Sequence, residues 1–391
     1  MSLEDAARTQ GEGRDIFIVC NNIEELGGLQ RWAHHTAKML SGRGHVVHLI
    51  GIVHPPTTHD YVPEGGYRTS VMYDEHPIGA WAPKRLVDRV NIPARLRESR
   101  RRVEAQAVAD RLTALFRAAR PGAIVIVPQV WAMEWVAMAD TRGTRVIGMS
   151  HESFQASKAT SRRARVKRHF AHVDRLLLLT REDADAWARD GLNHTGVLPN
   201  PLPIQPVTGS DRASKVVVSL GRFSYEKGYD MLLESWAQVR VDHPDWTLRL
   251  YGGGVEDAAL RVQAVRLGLD TCVEFPGPTA DVEKSLRDGA VFALSSRAEG
   301  FPMSLLEAMA MGIPCVAFDC APGVREIVTD RVNGLLIQPG NTDRFTDGLR
   351  ELMDDAELRD RLGEQAVLDV QKYAPDAILD RWEDLFDLMY R

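Results

Sequence analysis

Short apolar runs recur along the chain and are separated by segments with helical spacing. The runs occupy 15–20, 45–53, 123–128, 145–150, 175–180, 215–221, 246–252, 272–277, 291–296, 314–319 and 334–339. They are nearly continuous rather than alternating with polar residues, which is typical of strands covered on both faces. The pattern therefore predicts parallel sheets joined by crossover helices.

Helical spacing is clearest at 98–119 and 227–241, and it predicts shorter helices at 281–289 and 303–311. The helices alternate with the strand-like runs in both halves of the chain. We therefore expect an α/β fold built from two Rossmann-like doubly wound domains that face a central cleft.

The boundary between the two domains is predicted from a proline-rich stretch. Four prolines lie within residues 197–210, which favours a linker. We place an N-terminal domain at 1–203 and a C-terminal domain at 204–372. The amphipathic segment 373–391 predicts a helix that packs back toward the N-terminal domain.

The composition is that of a globular protein, with 44% hydrophobic and 26% charged residues in 391. A chain of this length favours two cores over one. No apolar run reaches about 18 residues, and the first 15 residues lack a signal-peptide pattern. We therefore expect a cytoplasmic protein, with peripheral attachment to the inner face of a membrane left open.

Charge is distributed unevenly between the two halves. Residues 1–203 carry 28 Lys+Arg and 22 Asp+Glu, a net of +6, and the remainder carries 20 and 32, a net of −12. Two basic stretches, 83–103 and 158–170, dominate the first half. Each is interpreted either as a solvated helix face or as a surface that attracts an anionic acceptor or membrane. Sparse aromatic residues disfavour nucleic acid as a partner.

The four cysteines, Cys20, Cys272, Cys315 and Cys320, lie in or beside strand-like runs and form no C-x-x-C pair. This pattern favours buried thiols over a zinc site. A second metal signal, Asp183-Ala184-Asp185, has the form D-x-D. Thr180 and the acidic residues after it instead predict the start of a helix.

The stretch SRAEGFPMSLLEAMAMG, at 296–312, carries the first candidate site. Pro302 suits the first helical position, so a helix is predicted from Met303. The amides of Met303, Ser304 and Leu305 would then form an anion site. Glu299 in the loop and Glu307 in the second turn could accept hydrogen bonds from hydroxyl-rich rings. A phosphate between such rings describes a nucleotide sugar. Alternatively, Glu299 caps the turn and Glu307 is a surface residue.

A second candidate lies in SLGRFSYEKGYDMLLESW, at 219–236, where Arg222 and Lys227 follow a strand. Both side chains could reach the same sheet edge as Glu299. Two cations there suit a diphosphate whose charge grows as a glycosyl bond breaks. Solvated turn charges are the alternative.

A third candidate is the loop with Gly27 and Gly28 between the first strand and its helix. Glycines allow the backbone to approach a phosphate or sugar closely. The loop is not a G-x-G-x-x-G fingerprint, so dinucleotide binding is disfavoured. Alone, the pair is also compatible with an ordinary loop.

Together, the E-x7-E spacing at 299–307, the G-R-F-S-Y-E-K-G run, the early G-G loop and the E-G-F-P turn resemble the GT-B glycosyltransferases of family 4. The resemblance implies that Glu299 contacts the donor sugar and Glu307 the ribose. It places Arg222 and Lys227 on the diphosphate, which Gly27 and Gly28 meet from the other domain.

The resemblance assigns further roles in substrate binding and catalysis. His151 would line the sugar pocket, Asn200 would lie near the cleft, and the backbone of Pro276 and Gly277 would read the base. Gly300 and Phe301 belong to the E-G-F-P turn. The implied enzyme is a retaining hexosyltransferase that needs no metal or other cofactor.

The expected donor is a nucleotide-diphosphate sugar, with a UDP-sugar favoured, and the acceptor is a glycan, polymer, lipid or small molecule. Two other activities stay open at this point: a nucleotide-sugar epimerase or hydrolase of the same fold, and a non-catalytic nucleotide-sugar-binding module.

Overall fold

The computed structural model describes residues 13–25, 27–59, 61, 66–74, 91–204, 210 and 212–391. The chain divides into two compact units. The first comprises Met1–Leu198 and Leu379–Arg391, and the second comprises Pro199–Ile378. Each is an α/β unit built on one parallel sheet, which confirms the predicted fold class.

The first unit contains a seven-stranded parallel sheet in the order β3-β2-β1-β4-β5-β6-β7. The strands are β1 Asp15–Cys20, β2 Val46–Gly51, β3 Arg68–Val71, β4 Ala123–Val127, β5 Thr144–Ser150, β6 Arg175–Leu178 and β7 Thr195–Val197. Its helices are α1 Gly28–Gly42, α2 Ile92–Arg117, α3 Met133–Val136, α4 Phe154–Lys158, α5 Arg162–His169 and α6 Arg181–Arg189. The sheet is covered on both faces, since β4 is apolar and buried throughout and β1 is buried from Ile16 to Cys20.

The second unit contains a six-stranded parallel sheet in the order β10-β9-β8-β11-β12-β13. The strands are β8 Val216–Leu220, β9 Thr247–Tyr251, β10 Val273–Gly277, β11 Val291–Leu294, β12 Cys315–Phe318 and β13 Leu335–Ile337. The helices are α7 Tyr229–Asp242, α8 Asp257–Arg266, α9 Val282–Leu286, α10 Met303–Ala310, α11 Pro322–Ile327, α12 Thr342–Asp354 and α13 Ala356–Val370. The last helix, α14 Pro375–Met389, begins in this unit, and its residues from Leu379 onward belong to the first unit. Two 3-10 turns lie at Tyr225–Lys227 and Gln371–Tyr373.

The order of strands decides which loops meet. In the second sheet β8 lies between β9 and β11, and β12 follows β11. All strands are parallel, so the loops that leave their carboxyl ends share one edge. The segments after β8, β11 and β12 are therefore neighbours although they are far apart in sequence.

The C-terminal residues of α14 pack on the first unit, through the apolar stripe that the sequence predicts. Leu379, Trp382 and Phe386 are buried. Polar contacts flank the stripe: Asp380 bonds Arg43, Glu383 bonds His45, and Asp387 bonds Arg14. Tyr390 lies between the guanidinium groups of Arg14 and Arg145 and donates to the carbonyl of Ala123 at 2.7 Å.

Among the described residues, no helix has the length and hydropathy that crossing a bilayer requires. The thiols of Cys20, Cys272 and Cys315 are buried, as their apolar surroundings predict, and Cys320 is half-buried. Thr180 caps α6 as predicted, since its hydroxyl accepts from the Asp183 amide at 3.1 Å. The Asp183 carboxylate in turn accepts from the Thr180 hydroxyl and the Phe154 amide, which gives the first half of the D-x-D sequence a structural role.

Candidate functional site

The carboxyl edge of the second sheet brings Lys227 to Glu299. Lys227 ends the 3-10 turn after β8, and Glu299 lies in the loop after β11. The Lys227 Nζ donates to Glu299 Oε1 at 2.6 Å. The Ser296 hydroxyl donates to the same oxygen, also at 2.6 Å. The two carboxylate bonds thus end on Oε1, and Oε2 takes part in neither.

The two loops that carry this pair are joined by their backbones. The carbonyl of Glu226 accepts from the amides of Arg297 at 2.7 Å and Ala298 at 3.3 Å. The Ser295 hydroxyl donates to the Lys227 carbonyl at 3.2 Å. These bonds fix the turn and the loop in one register, so the positions of the ammonium and carboxylate are set before any ligand contributes.

Arg297 clamps the same turn from outside. Its guanidinium binds both oxygens of the Asp230 carboxylate, at 2.7 and 2.6 Å, and donates to the Tyr225 carbonyl at 2.9 Å. The group also lies 4.2 Å from the centre of the Tyr225 ring. The bidentate bond lowers the pKa of Asp230 and raises that of Arg297. The Arg297 guanidinium therefore stabilises the turn. Lys227, in contrast, has two further N–H donors that could bind a ligand.

Close packing at this edge requires glycine. Gly228 has φ +63°, and a Cβ there would lie 2.1 Å from the Ser295 carbonyl oxygen. Gly252 and Gly254, after β9, similarly abut the carbonyls of Gly221 and Phe223. The Gly252 amide donates to the Gly277 carbonyl at 3.0 Å, and the Asp257 amide donates to the Gly254 carbonyl at 3.1 Å, so a turn follows the glycine run.

Arg222 lies on the same turn as Lys227 but is exposed. Its charge and that of Lys227 help lower the pKa of Glu226, although hydrogen bonds from the Glu226 amide and Ser224 contribute more. Arg222 thus shares the edge of the sheet with Lys227. Within the described part of the chain, the cation that bonds Glu299 is Lys227, so the predicted convergence on this carboxylate is seen for Lys227 and not for Arg222.

Helix α10 begins at Met303, as predicted, but two details differ from the expectation. Pro302 is the N-cap residue rather than the first helical residue. Its carbonyl accepts from the Leu305 amide at 3.2 Å. The prediction that the Leu305 amide is a free donor is therefore wrong. The anion site at this terminus reduces to Met303 and Ser304, which are half-buried.

The remaining residues of this turn differ in exposure. Glu307 is 1% exposed, which rules out the reading of it as a surface residue. Phe301 is buried edge-to-face against Tyr373, with ring centres 5.4 Å apart, so its side chain packs the loop. Gly300 lies against α11, because a Cβ on Gly323 would be 1.9 Å from its carbonyl oxygen.

Sequence reasoning missed three residues at this edge. Ser296 orients Glu299, Cys320 follows β12, and Tyr229 is buried at the start of α7. Burial raises the pKa of the Cys320 thiol to about 12, and the Glu299 charge adds to the effect. Burial, with the same charge, also raises the pKa of Tyr229. The position of Cys320 could have been predicted from the sequence, because this residue follows β12, the strand next to β11.

The predicted base-reading segment lies at the end of β10. Pro276 is exposed and has no amide hydrogen, so its backbone offers only a carbonyl. Gly277 has φ +92°, and its carbonyl is engaged by Gly252. Asn200, in the second unit, is 4% exposed, and its Oδ1 has no hydrogen-bond partner among the described residues.

In the first unit, Gly27 is the N-cap of α1 and Gly28 is exposed at its first position. Tyr61 holds this loop: its hydroxyl donates to the Glu25 carbonyl at 3.2 Å and is bonded by the Gly27 amide. The Tyr61 ring stacks on His34 at 4.3 Å. No sequence pattern predicts this contact of Tyr61 with the loop.

His151 follows β5 and packs edge-to-face on Trp32, with ring centres 4.7 Å apart. Its Nε2 is buried and has no hydrogen-bond partner within the described part of the chain. Burial lowers the pKa of His151 to about 3, with a smaller contribution from the Arg162 charge. The imidazole is therefore neutral near pH 7 and can exchange a hydrogen bond with a ligand.

Comparison with known proteins assigns a family to much of the second unit. Residues 203–368 match the family described as Glycosyl transferases group 1. An uncharacterized glycosyltransferase of Haemophilus influenzae is 30% identical over 54% of this chain, which covers 61% of that protein. The amylovoran biosynthesis glycosyltransferase AmsD of Erwinia amylovora is 28% identical over 62% of this chain and 70% of its own length.

Among solved structures, a mutant of S. aureus TarM in complex with Fondaparinux, alpha-GlcNAc-glycerol and UDP has a TM-score of 0.77 at 14% identity. The match covers 95% of this chain and 99% of TarM. At that identity the likeness concerns the fold. Residues 203–368 therefore match the glycosyl transferases group 1 family, within a chain that has the GT-B fold.

Proposed function

We propose that the protein is a retaining, metal-independent glycosyltransferase of the family 4 type, which moves a sugar from a nucleotide-diphosphate sugar to an acceptor hydroxyl. The observation that carries the proposal is the Lys227–Glu299 pair, held at one sheet edge beside the start of α10. It combines a cation for the diphosphate with a carboxylate oxygen for sugar hydroxyls. The group 1 match of the same segment supports the assignment.

Each group at this edge has a role that its geometry allows. Lys227 donates one N–H to Glu299, and its two other N–H groups donate to phosphate oxygens. The Met303 and Ser304 amides, at the positive end of α10, add neutral donors to the same phosphate. Glu299 Oε2 accepts from sugar hydroxyls, and Arg222 joins from the exposed side of the turn.

The nucleoside is assigned to the neighbouring elements. Glu307 accepts from the ribose diol, and the backbone of Gly277 contacts the base. For the first unit we propose that the Gly27 and Gly28 backbone and His151 Nε2 contact the donor. For the second unit we propose that Asn200 also contributes to donor binding. UDP is the nucleotide that we favour, in line with the UDP named in the S. aureus TarM complex.

The chemistry follows from where charge develops. The bond from the anomeric carbon to the diphosphate oxygen breaks while the acceptor oxygen bonds to the same face of the sugar. The acceptor proton passes to the departing phosphate oxygen. Lys227 and Arg222 stabilise the negative charge that remains on the nucleoside diphosphate. No carboxylate of the chain is assigned as a covalent nucleophile.

The acceptor is proposed to be an anionic or membrane-associated glycan, polymer or lipid. The net charge of +6 on residues 1–203 supports an anionic partner for this half. The AmsD relative, named for amylovoran biosynthesis, supports a polysaccharide acceptor.

The test is a calorimetric titration with UDP, followed by turnover of UDP-sugars with and without acceptor, in the presence of a chelator. We expect UDP to bind and sugar transfer to require both Lys227 and Glu299. Equal donor consumption with and without acceptor would favour the epimerase or hydrolase instead. Tight UDP binding with no turnover of any donor would favour the binding module.

A further inference from the structure

The first half of α2 has no fully buried side chain, and one of its faces is open to solvent. The buried residues of this helix begin at Ala105 and continue through Val108, Leu112 and Phe116. Residues 92–104 precede them and are exposed or half-buried throughout. One face of the helix is therefore exposed over more than three turns.

This first half of α2 carries an exposed apolar stripe, formed by Ile92, Leu96 and Val103, which we call the α2 ridge. They are 67%, 61% and 67% exposed. With about 100° between successive residues, the three lie within about 40° of one another around the helix. The buried residues of the second half lie on the opposite side, so the ridge faces away from its own unit.

Arginines border the ridge on both sides. Arg95 lies along one flank and Arg100 along the other, and both are exposed. Residues 92–104 contain five arginines and two glutamates, a net of +3. Arg101, on the side opposite the ridge, instead makes two bonds with Glu98, at 2.9 and 2.8 Å.

The other basic stretch is built differently. In α5 the basic side chains are used within the unit: Arg163 binds Asp190, Arg165 binds Glu134 at 3.0 Å, and Lys167 donates to the Asp190 carbonyl at 2.6 Å. Arg163 lowers the pKa of Asp190. Positive charge in α5 is therefore largely neutralised by neighbours, whereas that beside the ridge faces solvent.

We propose that the α2 ridge is a peripheral membrane-binding element that lies in the interface of an anionic bilayer. An apolar stripe flanked by arginines matches the boundary between acyl chains and negatively charged headgroups. A soluble polyanion would use the arginines but has no use for three exposed aliphatic side chains. The proposal concerns attachment and is independent of the catalytic assignment.

The test is co-sedimentation of the full chain with vesicles of phosphatidylcholine alone or mixed with phosphatidylglycerol. The ridge variant is Leu96→Ser with Val103→Ser, and the flank variant is Arg95→Gln with Arg100→Gln. We expect binding to the anionic vesicles only, and each variant should reduce it about tenfold or more. Added salt should weaken the binding of the wild type.

Two matched controls locate the surface. Val262→Ser with Val265→Ser removes two valines of α8 that are 69% and 66% exposed. Lys158→Gln with Arg168→Gln removes two exposed charges from the other basic stretch. We expect both controls to bind like the wild type. All variants alter exposed side chains, and circular dichroism will verify their folding.

Failure of the wild type to bind anionic vesicles, or equal binding by the ridge variant, would overturn the proposal. Sodium polyphosphate provides a further arm. If it binds the wild type and the ridge variant equally and the vesicles do not compete, the occupant is a soluble polyanion and the membrane assignment is wrong. None of these readouts requires turnover, so they stand apart from any failure of the enzymatic proposal.

Discussion

Lys227 Nζ lies 2.6 Å from Glu299 Oε1, although 71 residues separate the two in the chain. Both side chains are largely shielded, at 24% and 9% exposed, so the pair is screened less than a surface ion pair. The proximity makes each residue sensitive to loss of the other. A change at Lys227 leaves a carboxylate with one donor fewer, and a change at Glu299 frees the ammonium.

Replacing Lys227 with Met should reduce kcat at least about tenfold, since one charge-assisted hydrogen bond to the leaving group is lost. Steady-state kinetics with a UDP-sugar donor will measure kcat for the variant and the wild type. The matched control is Lys215→Met, because Lys215 also forms an ion pair, with Asp245, but beside the start of β8. A Lys227→Met enzyme as fast as the control would remove Lys227 from the reaction.

Replacing Glu307 with Gln should weaken UDP binding about tenfold while changing kcat less, because the ribose diol would lose a charged acceptor. Calorimetry will give the Kd. Glu283→Gln, an exposed glutamate in the first turn of α9, is the control. Since Glu307 is buried, urea unfolding must show that the variant is folded. Unchanged affinity in a folded variant would exclude the ribose contact.

Replacing Ser296 with Ala should raise the KM for the donor about threefold to tenfold, because Glu299 loses one of two bonds that orient it. The effect should be smaller than that of Glu299→Gln. Ser214→Ala serves as the control, because Ser214 lies just before β8 and its hydroxyl donates to the backbone carbonyl of Asp288. If KM stayed constant, Lys227 alone would suffice to position Glu299.

Low pH should destabilise the first unit through His151. Burial lowers the pKa of His151 to about 3 in the folded chain, against 6.5 for an exposed histidine, so below pH 6.5 the unfolded chain binds a proton that the native state does not bind. The free energy of unfolding should then fall by up to about 1.4 kcal/mol per pH unit as the pH drops from 6 to 4. Urea unfolding should show a smaller decline in His151→Asn. The exposed His172→Asn should behave like the wild type.

Replacing Gly228 with Ala should cost about 1–3 kcal/mol more than replacing Gly340 with Ala. Both glycines have positive φ, +63° and +75°, so the conformational cost is shared. Only at Gly228 would the new Cβ meet a backbone atom, the Ser295 carbonyl. Chemical denaturation of both variants gives the difference. Equal losses of unfolding free energy would mean that the loop after β11 can move to accommodate the new Cβ, and that Lys227 can move with it.

Secondary structure could be predicted wherever strands are central. All eleven apolar runs are strands, because burial on both faces leaves a continuous apolar pattern. The two strands that the sequence missed, β3 with RTSV and β7 with TGV, are the edges of the first sheet. Both are short and partly exposed, so neither carries a continuous apolar run.

The candidate site could be predicted as far as strand order determines it. Lys227 and Glu299 follow neighbouring parallel strands, so their meeting follows from topology. Ser296 was missed because a hydroxyl bond depends on loop conformation. Leu305 was predicted wrongly because the N-cap is Pro302 itself, one residue later than a helix with Pro302 at its first position would have, and the Pro302 carbonyl accepts from the Leu305 amide.

The last helix of the chain has a practical consequence for dissecting the protein. Leu379, Trp382 and Phe386 complete the core of a unit whose other residues all come before 199. A fragment that stops at 198 would expose that apolar surface and leave Arg14, Arg43 and His45 without their acidic partners. Expression of the N-terminal half by itself should therefore give an aggregation-prone product, which a fused copy of residues 379–391 would rescue.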